Sequence, residues 1–314
     1  MLRFALKRIL ISVPVLGLVS LISFAIIWMV PGDPAAAFLE ASASPEAVAA
    51  LRHELGLDQP FYLQMLSWYG RILHGDLGES ILLHRSVGTA ILERLPVTLS
   101  LASLALAFAV LMGILAGVLA AMRHGKWTDQ SIMTLALLGL SVPDFWLGIM
   151  LIFGFAVGLG WFPTGGYVSP SVSFVGWARC IVLPAFSLGA AQLGFISRMT
   201  RSAMLEVLGQ DFIRTADAKG LPRSAVVVRH GIPNALVPII TVAGIVAGGL
   251  LGGALVIEQV FSLPGVGRLI IGAVLSRDFP VIQGSLLFIA LVYLSVNIVV
   301  DLLYAVVDPR VRLG

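Results

Sequence analysis

Long apolar runs divide this sequence of 314 residues into segments that suit a membrane better than a soluble core. About 20 apolar residues in a helix cross the roughly 30 Å hydrocarbon layer of a bilayer. Six segments meet this length or come close to it, at 9–30, 96–122 and about 131–157, 180–197, 234–257 and 281–307. The pattern therefore predicts an all-α, polytopic membrane protein with six transmembrane helices.

The composition agrees with a chain that lies mostly in lipid. Hydrophobic residues make up 58% of the chain and charged residues 12%, with a mean hydropathy of +0.99, whereas soluble domains carry about 25% charged residues. The net charge of +3 is small, and no basic run with interleaved aromatic residues is present, which argues against nucleic-acid binding. The single cysteine, Cys180, excludes an intrachain disulfide and a multi-cysteine metal site.

The order of apolar runs and charges predicts the domain organisation. Residues 1–30 form the first transmembrane helix, because its uncharged run of 22 residues exceeds the roughly 7–15 of a signal peptide. Residues 31–94 form an external helical cap with eight acids against four arginines, and residues 95–314 form a five-helix core. With both termini in the cytoplasm, thirteen of the 20 Lys and Arg residues fall inside, as the positive-inside rule expects for a cytoplasmic (inner) membrane protein.

Two short helices are predicted within the cap. Pro45 opens the first and Gly56 ends it, because proline suits a first helical turn and glycine a helix end. The second begins after Pro60. Residues 75–80 are rich in turn formers, and residues 258–268 are predicted to form an external turn between the fifth and sixth spans.

The third and fifth spans contain the candidates for a translocation path or gate. Asp144 lies inside the third span, where an acid is costly and usually functional. Pro143 beside it predicts a helix break that admits water, which favours a structural or gating role over direct solute contact. The fifth span carries Gly244, Gly248 and Gly252 at four-residue steps. That spacing favours close helix packing, with the alternative that this face lines the path and leaves room for a solute.

A charged island between the fourth and fifth spans, in the loop at about 204–233, predicts a helix–turn–helix elbow in water. Asp211 can cap a short helix, and Gly220 is placed to end it. Pro222 can open a second helix, which is expected to end near Gly231.

This elbow resembles a cytoplasmic loop of ABC importer permeases, which has the form E-A-A, three residues, G, nine residues, then I-x-L-P. Ala216, Gly220 and Pro233 match that spacing. Three positions depart from it, because Arg214 and Thr215 replace its first two residues and His230 replaces its isoleucine. Residues 214–221 are similar to the peptide and nickel branch of these permeases. Further similar stretches are LGLDQP, GDLGES, the Pro-Gly-x-Gly after the fifth span and the terminal Asp308-Pro309-Arg310.

The resemblance implies a permease subunit that forms the translocation path for di- or oligopeptides, with nickel, glutathione or other small solutes left open. It implies three kinds of partner beyond the surrounding lipid: a second permease subunit, two ATPase subunits and an external solute-binding protein. In this family the elbow docks into a groove on the ATPase. The residues carried over as the ATPase-coupling loop are Asp211, Arg214, Thr215, Ala216, Asp217, Lys219, Gly220 and Pro233.

The sequence lacks the motifs of an enzyme that would drive transport itself. No Gly-x4-Gly-Lys-Ser/Thr loop is present, and the five histidines are scattered without the spacing of a zinc site. ATP hydrolysis is therefore expected on separate ATPase subunits, and no cofactor is expected. The alternative from another class is a stand-alone secondary transporter. Its halves should match as inverted repeats, and residues 1–157 and 158–314 show no such match.

Overall fold

The apolar runs form long helices in a computed structural model of the chain, which describes residues 2–29, 44–54 and 58–307. Two predicted features, the helix end at Gly56 and the terminal stretch at 308–310, lie outside the described residues. The helices and strands, in chain order, are α1 (Leu2–Met29), α2 (Pro45–Glu54), α3 (Phe61–Leu73), β1 (Glu79–Ser80), β2 (Arg85–Ser86), α4 (Val87–Met122), α5 (Trp127–Ser141), α6 (Asp144–Leu151), α7 (Phe174–Leu208), α8 (Asp211–Ala218), α9 (Arg223–Val226), α10 (Ile232–Val260), α11 (Val266–Ser276) and α12 (Phe279–Val307).

The described residues contain six candidate membrane spans if one bent pair of helices is counted as a broken span. Five helical segments are long and apolar enough to cross a bilayer: Arg8–Ile26, Val87–Met122, Phe174–Leu208, Arg223–Val260 and Phe279–Leu302. The sixth consists of α5 and α6, the latter extended by a π-helical segment at Ile152–Gly158, and the two parts meet at an angle of 100°. Pro143 accounts for the break, because a residue before proline is pushed out of the helical region, and Val142 is extended at φ −90° and ψ 124°. The predicted helix break is confirmed.

Two local predictions were wrong, and a third was incomplete. Residues 258–268 are not one turn, because α10 continues to Val260 and a further helix, α11, begins at Val266. The second helix of the elbow does not end near Gly231: it passes through a π-helical segment, Val227–Gly231, into α10. The turn-rich stretch at residues 75–80 runs into a small antiparallel pair, in which Ser80 lies opposite Arg85.

The chain forms two compact units. The first comprises the described residues of 1–6, 97–263 and 295–314. Its core lies where α4, α7 and α10 meet. Among its buried side chains are Leu101, Ala105, Ile181, Leu188, Ile196, Val246, Leu250 and Ile257.

Small residues allow α4 and α7 to approach closely within this first unit. A Cβ at Gly113 would lie 2.8 Å from a methyl of Ile196, and one at Gly117 would lie 2.5 Å from the backbone oxygen of Ser197. The four-residue spacing of these glycines therefore marks a helix contact.

The second unit comprises the described residues of 7–96 and 264–294. Phe24 of α1 packs against Phe61 and Trp68 of α3, with ring centroids 5.2 and 5.5 Å apart. Ser20 and Tyr69 share a hydrogen bond of 2.8 Å between the same two helices. The predicted cap helices are thus present as α2 and α3, and α3 is attached to the first span through aromatic side chains.

Candidate functional site

The elbow is held together by a small apolar cluster. Ile213 and Ala216 of α8 and Val226 of α9 are buried together, with Leu208 of α7 packed against them. Their spacing places the two α8 residues on one face of an amphipathic helix. Ala216 therefore faces its own chain, and a partner would contact its neighbours instead.

Gly220 forms the turn of the elbow. Its φ of +76° is one that L side chains rarely adopt. The N–H of Gly220 donates to the carbonyl of Asp217 (3.0 Å), and that of Leu221 donates to Ala216 (3.4 Å). This pair of bonds is the Schellman arrangement that ends many helices. The predicted end of the first elbow helix at Gly220 is confirmed.

The predicted cap at Asp211 was wrong by one residue. Gln210 occupies the N-cap position, and Asp211 is the first residue of α8. A carboxylate there still interacts favourably with the positive end of the helix dipole. Its Oδ1 lies 3.4 Å from Nη1 of Arg214, an exposed contact of the i, i+3 type.

The outer surface of the elbow combines charge with two apolar side chains. Phe212 and Leu221 are exposed to 40% and 37%. The predicted coupling residues that surround them are also exposed, namely Asp211, Arg214, Thr215, Asp217 and Lys219. Pro233 is exposed at the start of α10. Large apolar side chains within a charged rim are typical of a surface that binds another protein.

The inner surface of the elbow joins two spanning helices. Val227 packs in one cluster with Met204 and Val207 of α7 and with Ala235 and Ile239 of α10. Because cores deform little without repacking, a force on the elbow would be transmitted to both helices.

An ion-pair network that the sequence did not predict is centred on Arg201, which lies seven residues before the end of α7. Arg201 donates to Asp129 of α5 through Nε (2.6 Å) and Nη2 (2.8 Å). Asp129 also accepts from the backbone N–H of Gly125 at 3.0 Å, and Nδ1 of His124 lies 2.9 Å from Nη2 of Arg201. The only signal in the sequence is an acid next to the basic loop at residues 123–126.

Asp144 lies at the break in the third span, as predicted. It is the first residue of α6 and is partly buried, and its backbone oxygen accepts from the hydroxyl of Ser187 at 3.3 Å. A Cβ at Gly253 of α10 would lie 3.9 Å from its carboxylate oxygen Oδ2. The side chain is therefore directed toward α10.

The three glycines predicted to act together on α10 are in different environments. Gly244 is packed against Val300 of α12, and Gly248 is buried. Gly252 is exposed, and a Cβ there would meet no atom within 4 Å. Each four-residue step turns about 40° around an α-helix, so the third glycine faces another direction from the first.

The sequence did not predict that two further acids are buried and accept hydrogen bonds from hydroxyl groups. Glu258, predicted in a turn, lies in α10 and accepts a 2.6 Å hydrogen bond from the hydroxyl of Thr98. Asp278 accepts from the Ser80 hydroxyl at 2.5 Å. No group of three or more metal-binding side chains was found among the described residues.

Models of two protein families together match nearly the whole chain. The inner membrane component of binding-protein-dependent transport systems matches residues 113–313, and the N-terminal part of the membrane component of such systems matches residues 1–102. The chain belongs to the permease family of binding-protein-dependent transport systems. It is thus a multi-pass inner-membrane permease subunit of an ABC importer, a transport subunit rather than an enzyme, and it works with a partner permease and ATPase subunits.

Similar proteins from several bacteria carry permease names. A Brucella abortus protein named "Putative peptide transport system permease protein" is 49% identical over 307 residues, which is 98% of both chains. The di/tripeptide transport system permease protein DppB of Pseudomonas aeruginosa is 41% identical over 99% of both chains. The glutathione transport system permease protein GsiC of Escherichia coli is also 41% identical over 99% of both chains.

The fold of the permease has a counterpart among solved structures. An inward-facing form of the methionine ABC transporter MetNI matches with a TM-score of 0.57 and 19% identity. The match covers 69% of this chain and 96% of the other. At this identity the likeness shows the fold alone, that of an ABC importer permease.

Proposed function

We propose that this permease imports di- or oligopeptides across the cytoplasmic membrane. Similarity along the whole chain to proteins named as peptide permeases carries the proposal, at 49% identity for the Brucella protein and 41% for DppB. The complex would contain this subunit, a second permease, two ATPase subunits and an external solute-binding protein, surrounded by lipid.

The elbow is the coupling element in this proposal. Its exposed residues Phe212 and Leu221, with the charged residues around them, would enter a groove on an ATPase subunit. Closure of the ATPases would displace the elbow, and the shared cluster around Val227 would move α7 and α10 with it. Such rigid-body motions are a common route to alternating access.

Both chain termini and the elbow would lie in the cytoplasm, and residues 31–94 would face outside and meet the solute-binding protein. The distribution of Lys and Arg supports this topology, because thirteen of 20 then lie inside.

Glutathione is a second candidate solute, because GsiC is as similar to the permease as DppB is. The whole complex, reconstituted in vesicles with its binding protein, would be given labelled dipeptide, tripeptide, glutathione or Ni²⁺ together with ATP. We expect ATP-dependent uptake of the peptides. Uptake of glutathione or nickel alone would overturn the peptide assignment, and uptake without ATPase subunits would overturn the importer mechanism.

Cysteine cross-linking tests the elbow directly, since Cys180 is the single native cysteine. In a Cys180→Ser background, Leu221→Cys should cross-link to a cysteine at the groove of the ATPase subunit. The matched control is Val172→Cys, 80% exposed between the third and fourth spans, which should react only with an impermeant maleimide added outside. The reverse labelling pattern would contradict both the docking role and the topology.

A further inference from the structure

Asp144 is an acid within a membrane span whose carboxylate has no hydrogen-bond or ion-pair partner among the residues that the structure describes. Among the residues that the structure describes, no N–H, hydroxyl or cation pairs with it, and the hydroxyl of Ser187 is directed to its backbone oxygen instead. Two buried acids of the helices differ: Asp129 pairs with Arg201, and Glu258 with Thr98. A structural role of the kind that those acids have does not explain Asp144.

The position of Asp144 indicates contact with water. An acid within a membrane span almost always faces the bundle interior or an aqueous cavity rather than lipid. The 100° break beside Asp144 interrupts the third span, and the residue is only partly buried. The first turn of α6 also favours a negative charge there.

The surface of α10 next to the carboxylate lacks side chains. A Cβ at Gly253 would come within 3.9 Å of Oδ2 and within 2.8 Å of a methyl of Leu188, so Leu188 of α7 packs against this glycine. Gly249, one turn earlier, and Gly252 beside it would each accept a Cβ without meeting any atom within 4 Å. A small charged group could therefore approach Asp144 along this side of α10.

We infer that Asp144 binds the ammonium group of the transported solute, namely the free amino terminus of a peptide, and the inference rests on the proposed function. A carboxylate accepts short, charge-assisted hydrogen bonds from an ammonium group. Every di- or oligopeptide with a free amino terminus carries such a group, whatever its side chains. One acid in the path thus recognises the whole solute class without selecting among sequences.

The test measures peptide binding to the assembled permease–ATPase complex in nanodiscs, without the binding protein. Tritiated trialanine and its N-acetyl form are compared for the wild type, Asp144→Asn, Asp144→Glu and the control Ser141→Ala. Ser141 lies at the same break, and its hydroxyl donates to the carbonyl of Leu137.

We expect the wild type and Ser141→Ala to prefer the free amine, and Asp144→Asn to bind it about tenfold more weakly. Asp144→Glu should retain the preference, and N-acetyl trialanine should bind Asp144→Asn and the wild type alike. Equal preference in Asp144→Asn and the wild type, or no binding of trialanine by the wild type, would overturn the inference.

Two further measurements separate this result from other failures. Size-exclusion chromatography and basal ATPase activity report whether Asp144→Asn still assembles. An assembly defect with unchanged amine preference in the remaining complex would assign Asp144 to a subunit contact and overturn the inference. Peptide uptake by wild-type vesicles is tested separately, so that loss of the proposed function is distinguishable from loss of the amine site.

Discussion

Arg201 donates two parallel hydrogen bonds to Asp129, from Nε to Oδ1 at 2.6 Å and from Nη2 to Oδ2 at 2.8 Å. The side chain of Asp129 is 4% exposed and that of Arg201 is 25% exposed. The pair joins α7, the helix that leads into the elbow, to the first turn of α5, which begins the broken span. Bidentate geometry fixes the orientation of the two helices as well as their distance.

Breaking this pair should destabilise the permease strongly. Asp129→Asn leaves the guanidinium without its charged partner, and the loss of a hydrogen bond between charged groups costs about 1.5–3 kcal/mol. We expect a clearly lower unfolding temperature of the purified complex in a thermal shift assay. The matched control is Arg198→Ala, an exposed arginine one turn earlier on α7, which should change stability by less than about 0.5 kcal/mol. Equal unfolding temperatures for the two variants would contradict a structural role for the pair.

Gly117→Ala tests the close approach of α4 and α7. The new methyl would lie 2.5 Å from the backbone oxygen of Ser197 and 2.6 Å from Cβ of Thr200, so the helices must separate. Overpacking of this kind costs about 1–3 kcal/mol, to be measured as a lower unfolding temperature. Gly17→Ala in α1, where a Cβ meets nothing within 4 Å, should be neutral or slightly stabilising because alanine favours helices.

The helices were predictable because their causes are local. Runs of apolar residues, the glycine at 220 and the proline at 143 each act within one or two turns, and the structure confirms their effects. The missed features depend on contacts between distant residues. Arg201 and Asp129 are 72 positions apart, and Ser80 and Asp278 are 198 apart, so no periodicity in one segment indicates their pairing. The helix α11 was missed because its apolar stretch is short. In a sequence, a short apolar stretch next to a membrane span is difficult to distinguish from a turn.

For the candidate site, the sequence predicted which residues form the elbow but not which way they face. Ala216 matches the family pattern and is nevertheless buried against Val226. Phe212 and Leu221 contribute exposed apolar surface. The direction of each side chain follows from how α8 packs on the end of α7, which is a tertiary contact.

Gly220→Ala should weaken coupling without a steric clash. No atom lies within 4 Å of a Cβ at this position, so the cost arises from the φ of +76° and is about 1–2 kcal/mol. We expect the ratio of peptide taken up to ATP hydrolysed to fall in vesicles. The ratio should fall less in Gly220→Asn, because asparagine tolerates this backbone conformation. Gly209→Ala, where φ is −81°, is the control with normal coupling. A normal ratio in Gly220→Ala would contradict the importance of the turn for coupling.

Asp278 should control the order of the small hairpin before α4. Its Oδ2 accepts from the Ser80 hydroxyl at 2.5 Å and from the backbone N–H of Leu82 at 3.2 Å, and its Oδ1 accepts from the N–H of Val281 at 3.4 Å. The residue is 1% exposed. Asp278→Ala leaves these donors without an acceptor, and each unsatisfied buried group costs about 1–3 kcal/mol. Faster amide hydrogen exchange at Leu82, measured by mass spectrometry, is the expected result.

The control for this prediction is a surface ion pair in the same region. Arg85 and Glu93 lie 2.7 Å apart, and their side chains are 36% and 53% exposed. Because exposed pairs contribute about 0–1 kcal/mol, Glu93→Gln should leave exchange at Leu82 nearly unchanged. Asp278→Asn keeps one oxygen acceptor and should fall between the two. If the Leu82 amide exchanged at the same rate in Asp278→Ala and in Glu93→Gln, the hairpin would be held by its own turn. The buried carboxylate would then have no part in ordering the hairpin.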